Sequence, residues 1–250
     1  MGSVGNQESY WDFKDNPLLS TDVSGTGGEA ADWWREHDEL SNTGSWEDDL
    51  SDDQRDAVET YAGSGYWDVA ELYETEWDNM TDYQKKLVSN IYEALNKFEL
   101  KKPITVNRMT SFKIFGKQFS SDTMTADEVK DYLQNNTSGG LLQNDGFMSF
   151  STLSNGVNVA GSGLVIHLDV PKNTGAGAYI SGIGGNYSER EYLVNTNSIM
   201  KFDIDSVRQV GNQVHVNAKL VGRAKMQTID SKNTSEFRKR GKEKKPFLEI

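Results

Sequence analysis

The chain has 250 residues, no cysteine, 36% apolar side chains and a net charge of −12. That length can bury a real core and suits one domain with additions or two small ones. The missing cysteine excludes disulfides, thiolate zinc sites and a cysteine nucleophile. No run approaches the roughly 18 apolar residues of a membrane span, and the first 20 residues lack the basic start and apolar centre of a secretory signal. Residues 1–100 hold 24 acidic and 6 basic side chains, a balance of −18, whereas residues 101–250 hold 14 and 20, a balance of +6. Two halves of opposite sign read as a solvated acidic head and basic tail, or as halves that have different partners or attract one another.

Residues 1–45 are rich in Gly, Ser, Asn and Asp and show little periodicity, so they read as an acidic arm with a short helix over 30–40. Helix signals begin at Ser51, where Ser51-Asp52-Asp53-Gln54 spells a capping box ahead of Ala57, Val58 and Tyr61. Tyr61 to Tyr66 breaks that helix, and another is predicted from Trp67 to Tyr73. A second box at Thr81–Gln84 precedes Leu87, Val88, Ile91, Tyr92, Leu95 and Phe98, which recur at helical spacing.

After Pro103 the period falls to two. Ile104, Val106 and Arg108 alternate with Thr105 and Asn107 as a strand. Thr125–Glu128 caps a further helix to about Gln134. Strands are predicted at Phe147–Leu153, Leu164–Val170, Ala178–Ser181, Glu191–Val194, Ile199–Ile204 and Val214–Val221. Helices followed by many short strands indicate an α+β domain. The division predicted is an arm over 1–45, a domain over 46–230 (helical to 100, β core from 101) and a basic tail over 231–250. Between Lys232 and Lys245 the tail sets seven basic residues against two acidic, which reads as a disordered, solvated tail or, more sharply, as a contact for nucleic acid or an acidic protein.

His37, His167 and His215 stand apart in sequence without ligand spacing, and no Walker loop or complete GxGxxG is present. Three features remain. Arg108 closes a strand, and a rigidly held guanidinium suits a diphosphate. Ser149 and Ser151 share one face of a strand. Glu189 and Glu191 share a face at a strand entrance, where two carboxylates repel unless solvent or a cation separates them.

In this order the features resemble the arginine–serine–glutamate class of mono-ADP-ribosyltransferases, which includes bacterial actin-modifying toxins and phage-encoded transferases. The resemblance runs over roughly residues 50–222. It rests on Ser51–Tyr66, Ile104–Arg108, Gly146–Ser151, Leu164–Val170, Gly177–Ile180 and Ser188–Leu193. It implies two roughly perpendicular antiparallel sheets with flanking helices gripping NAD⁺, and no metal. Arg108 would hold the phosphates, while Gly146, Phe147, Ser149 and Ser151 would line the cofactor. Glu191 would bind the nicotinamide ribose and favour the oxocarbenium ion, braced by Ser149, or by Ser151 in an alternative register. Glu189 and Tyr187 would meet the acceptor. Because a glutamate at position 189 goes with arginine acceptors in that class, the resemblance implies transfer to arginine on a target protein, with slow NAD⁺ hydrolysis beside it. The chain departs from the class at Phe150, where Ser-Thr-Ser is common, and at Met109, where a second basic residue is common. The expected setting is a monomer with no membrane contact, in the cytoplasm of a target cell reached by a specialised route or a phage particle. A non-catalytic or virion-associated module of the same fold, or an RNA acceptor, are the competing readings.

Overall fold

The computed structural model describes residues 32, 34–63, 79–115, 119, 123–144, 146–153, 157–160, 163–183 and 190–223. The predicted helix at Trp67–Tyr73, the basic tail, Tyr187 and Glu189 lie outside these residues.

Four α-helices are described: α1 (Thr43–Asp48), α2 (Asp52–Ala62), α3 (Asp82–Asn96) and α4 (Ala126–Asn136). The three predicted capping boxes form, at Ser51, Thr81 and Thr125, each hydroxyl accepting from the backbone N–H three residues on. They satisfy N–H groups that the first turn of a helix leaves without internal partners. On α3, Leu87, Val88, Ile91, Ala94 and Leu95 form the buried stripe, and α2 packs beside it, joined by Lys86 to Asp53 at 2.9 Å on the surface.

The strands are β1 (Glu99–Leu100), β2 (Ile104–Thr110), β3 (Leu141–Asn144), β4 (Met148–Ser151), β5 (Val157–Ala160), β6 (Leu164–Val170), β7 (Asn173–Thr174), β8 (Gly177–Tyr179), β9 (Glu191–Val194), β10 (Ser198–Phe202), β11 (Arg208–Val210) and β12 (Gln213–Arg223). Eight of them follow the order β3-β10-β12-β6-β2-β4-β9-β8, with β11 on β12, β5 on β2, and β1 and β7 as a separate pair. The fold is α+β, as the sequence indicates. Pairing is antiparallel throughout the described strands except β6 with β12 and β2 with β5, which are parallel.

This path is two sheets joined at one point. β2 pairs with β6 along its whole length, from Ile104↔Val170 to Thr110↔Leu164, yet meets β4 at the single pair Asn107↔Ser151. On one side of that joint lies β3-β10-β12-β6-β2, on the other β4-β9-β8. The larger sheet carries an apolar face of Val106, Ile166, Leu168, Val214, Val216 and Ala218, all fully or almost fully buried, as period-two alternation requires. Behind the smaller sheet, Tyr192 meets Phe98 edge-on at 6.3 Å, and Phe98 meets Trp46 at 5.4 Å and 87°.

One boundary differs from the sequence reading. Packed structure begins by Trp34, not at residue 46. Trp34 is fully buried and stacks on Tyr179 at 4.6 Å and 9°; Leu40 is buried, Ser41 bridges Leu100, and Lys101 N–H donates to Leu40 O at 2.7 Å. These anchors are spaced by tertiary contact, which leaves no helical or strand period to read. Trp34→Ala should therefore cost about 3–5 kcal/mol in urea unfolding, the range for removing a buried aromatic. An unchanged midpoint would return residues 34–45 to a free arm.

Candidate active site

The joint between the sheets collects most of the residues singled out from sequence. Ser151 on β4 stands opposite Asn107 on β2 and, on its other side, opposite Glu191 on β9. Glu191, Ser151 and Asn107 thus form a polar row across three adjacent strands, exposed by only 6%, 1% and 1%. Pleating puts Ser149, Ser151, Glu191 and Leu193 on one face of the small sheet and Phe150 and Tyr192 on the other. Phe150, at the position where the class commonly has threonine, is accordingly a core residue, 2% exposed.

The register changes the role expected of Ser149. Directly opposed residues have Cβ atoms about 5 Å apart, whereas diagonal ones are about 7–8 Å apart. Ser151 holds the opposed position to Glu191; Ser149 faces Leu193. The Ser149 hydroxyl instead lies 2.8 Å from the hydroxyl of Tyr61 on α2, and the Tyr61 ring meets Phe147 edge-on at 6.0 Å. Ser151 Oγ accepts the Leu153 N–H at 3.1 Å, while Asn107 Nδ2 donates to the Leu153 carbonyl at 2.9 Å. A single residue beyond β4, Leu153, is therefore held at its N–H by Ser151 and at its carbonyl by Asn107.

Arg108 is 9% exposed and donates through Nη1 to the Ser149 carbonyl at 2.7 Å. Among the described residues it has no carboxylate partner. A buried cation without a counter-ion is costly, so the site fits an anionic group there. Phe147 and Gly146 are buried at the start of β4, with Asn144 Nδ2 donating to the Gly146 carbonyl.

Glu191 is positioned from its backbone. Its N–H donates to Ser181 Oγ at 2.6 Å, and its carbonyl accepts from Ile180 at 3.0 Å. Arg190, immediately before it, has φ 47°, a left-handed conformation uncommon for a side chain of that size, and its carbonyl is held by Thr152 N–H at 3.0 Å. Sequence reasoning passed over Ser181, Tyr61 and Asn107, because serine, tyrosine and asparagine in strands and helices carry no local signal.

The two strand histidines, isolated in sequence, meet in the structure. His167 Nδ1 lies 2.6 Å from Asn107 Oδ1, and His167 Nε2 lies 3.0 Å from His215 Nδ1. They are 48 positions apart in sequence, brought together by the parallel pairing of β6 and β12. Burial pushes His167 down to about 4, aided by His215 and Arg208; burial and Arg208 bring His215 down to about 4 as well.

An α+β body with two joined sheets, a carboxylate and serine opposed at the joint and a buried arginine beside them is the architecture of an ADP-ribosyltransferase. The sequence profile of the ADP-ribosyltransferase exoenzyme family matches residues 34–239, and the chain belongs to that family. Its structure is similar to Plx2a, an ADP-ribosyltransferase toxin from Paenibacillus larvae, with TM-score 0.64 and 23% identity over 79% of this chain and 98% of that one. It is similar also to the ADP-ribosylating toxin BECa of a binary enterotoxin of C. perfringens, solved with NADH (TM-score 0.61, 21% identity, 77% of this chain). This chain spans 48% of BECa. The Clostridium limosum C3 exoenzyme is a third, with TM-score 0.59 and 18% identity over 82% of this chain and 99% of that one. Comparison with curated protein sequences gives no match.

The histidine pair sets a pH dependence. Both imidazoles are held neutral in the folded protein to about pH 4, while in the unfolded chain they take up protons near 6.5. The unfolded state therefore binds more protons between these values, so stability is full above pH 6.5 and falls as pH drops toward 4. Melting temperature should decline over that window, and less steeply for His215→Phe than for wild type. Parallel declines would show that other groups govern the acid limb.

Proposed function

We propose that the protein is an NAD⁺-dependent mono-ADP-ribosyltransferase that modifies arginine side chains of a target protein. One observation carries the reading: the row Glu191–Ser151–Asn107 lies at the joint beside Arg108, a buried guanidinium with no carboxylate partner among the described residues. A diphosphate offers the anion that Arg108 lacks, and its fork geometry suits two phosphate oxygens. NAD⁺ held there brings its nicotinamide ribose to Glu191.

In this reaction the bond between ribose C1′ and the nicotinamide nitrogen breaks, and nicotinamide leaves with the electron pair. Positive charge spreads over C1′ and the ring oxygen. Glu191 accepts a hydrogen bond from a ribose hydroxyl and its charge stabilises that cation, an electrostatic role akin to a glycosidase carboxylate. A guanidine nitrogen of the target then bonds to C1′ and gives up its proton. Glu189, two residues before Glu191, pairs with the incoming guanidinium and accepts that proton. Tyr187 supports the acceptor by stacking. In the absence of an acceptor, water takes its place and NAD⁺ is slowly hydrolysed.

Incubation with labelled NAD⁺ and a target-cell extract tests this. Wild type should label a discrete protein band, with the label released by neutral hydroxylamine, which cleaves arginine linkages. Glu191→Gln should lose both labelling and nicotinamide release by about 10²-fold or more, the size of effect for removing a charge-stabilising group. Glu189→Gln should lose labelling yet still release nicotinamide. Label resistant to hydroxylamine would move the acceptor away from arginine, and label removed by RNase would move it to RNA. Neither label nor NAD⁺ binding would leave the fold serving as an interaction module.

A further inference from the structure

We infer that His167 is a positioning residue for this site, acting through Asn107 and Leu153 on Ser151; the inference rests on the transferase reading above. The argument is one of hydrogen-bond direction. A carbonyl oxygen only accepts, so the Leu153 carbonyl requires the Asn107 side-chain nitrogen to face it, as it does at 2.9 Å. That turns Asn107 Oδ1 toward His167, where a nitrogen lies at 2.6 Å. Oδ1 also only accepts, so His167 Nδ1 carries the hydrogen.

Because burial keeps His167 neutral, its Nε2 is then a bare lone pair. His215 Nδ1, 3.0 Å away, must donate to it. The chain ends at His215 Nε2, buried and without a hydrogen-bond partner among the described residues. All the donors point one way, from the second histidine toward the joint, and no flip of the Asn107 amide preserves the set. Reversing it would place two oxygens against each other at Leu153.

The consequence falls on Ser151. Asn107 holds the Leu153 carbonyl, and the N–H of that same residue donates to Ser151 Oγ at 3.1 Å. Ser151 is opposite Glu191. A rotated Asn107 amide would release the Leu153 carbonyl and so loosen the residue whose N–H fixes Ser151 Oγ. His167 touches no reacting atom; it removes a conformational freedom from the groups that do.

Two variants separate this role from simple packing. His167→Leu fills the space without any donor, whereas His167→Asn keeps an amide nitrogen at the Nδ1 position. Nicotinamide release should fall about tenfold in kcat for His167→Leu, with KM for NAD⁺ within about twofold, since a tenfold change corresponds to losing roughly one hydrogen bond. His167→Asn should recover most of that loss, and His167→Leu should add nothing in a Ser151→Ala background. Should the leucine variant fail to fold, His167→Gln replaces it, because its amide nitrogen falls at the Nε2 position, away from Asn107.

A second readout is independent of activity. Hydrogen exchange at the Leu153 amide should quicken in His167→Leu and not in His167→Asn, and nitrogen NMR of the wild type should show the Nδ1–H tautomer of His167. Equal kinetics in both variants, a multiplicative loss on Ser151→Ala, or an Nε2–H tautomer would overturn the inference. A wild type that releases no nicotinamide would overturn the enzyme reading instead, while the tautomer and the exchange rates still judge the hydrogen-bond chain.

Discussion

The structure depends on a single cross-strand rung, Asn107 against Ser151, where one sheet stops being one sheet and becomes two. Elsewhere on β2 the backbone is paired along seven positions with β6, which fixes the strand rigidly. On the β4 side one pair suffices, so the sheets part and leave room for side chains to project into the gap. Polar groups placed at such a joint are nearly dry, and a dry polar group costs roughly 1–3 kcal/mol when left without a partner. The joint is therefore filled by groups that satisfy one another in fixed directions: Asn107 on the Leu153 carbonyl, Ser151 on the Leu153 N–H, His167 on Asn107, and Arg108 on the Ser149 carbonyl. Stability and preorganisation come from the same bonds.

The apolar parts of the chain make that arrangement rigid from behind. Phe150 and Tyr192 occupy the reverse face of β4 and β9, and the run Tyr192–Phe98–Trp46 ties that face to the end of α3 and to α1. Trp46 adds a directional contact, its indole N–H donating to the Ala94 carbonyl at 2.8 Å. A substitution that changed volume here would be felt at Glu191, because interiors this densely packed transmit displacement. Tyr61 plays the corresponding part from α2, reaching Ser149 through its hydroxyl.

The segment from Trp34 to Glu47 anchors the far end of the small sheet. Arg35 donates to Glu47 at 2.8 Å and to the Gly182 carbonyl at 3.1 Å, and Trp34 covers Tyr179. A Cβ at Gly182 would stand 2.3 Å from a Glu47 carboxylate oxygen, so a side chain there would push aside the ends of Glu47 and Arg35. One residue earlier, Ser181 accepts the Glu191 N–H. The acidic N-terminal half and the β core are thus joined close to Glu191, with Arg190 held left-handed beside it.

By itself the sequence determined the elements whose cause is local. Capping boxes at Ser51, Thr81 and Thr125 satisfy N–H groups within four residues, and the alternation in 104–108 and 164–170 encodes one buried face. The order Arg108, Ser149–Ser151, Glu191 carried the resemblance to the family whose profile matches the chain. Tertiary structure alone decided the rest. Register between β4 and β9 is a matter of pairing across 40 residues, so only the folded chain places Ser151 and not Ser149 opposite Glu191. His167 and His215 looked isolated because their meeting depends on two strands lying side by side in parallel. Trp34 and Leu40 read as part of an arm because a residue buried by distant partners leaves no period in its own neighbourhood.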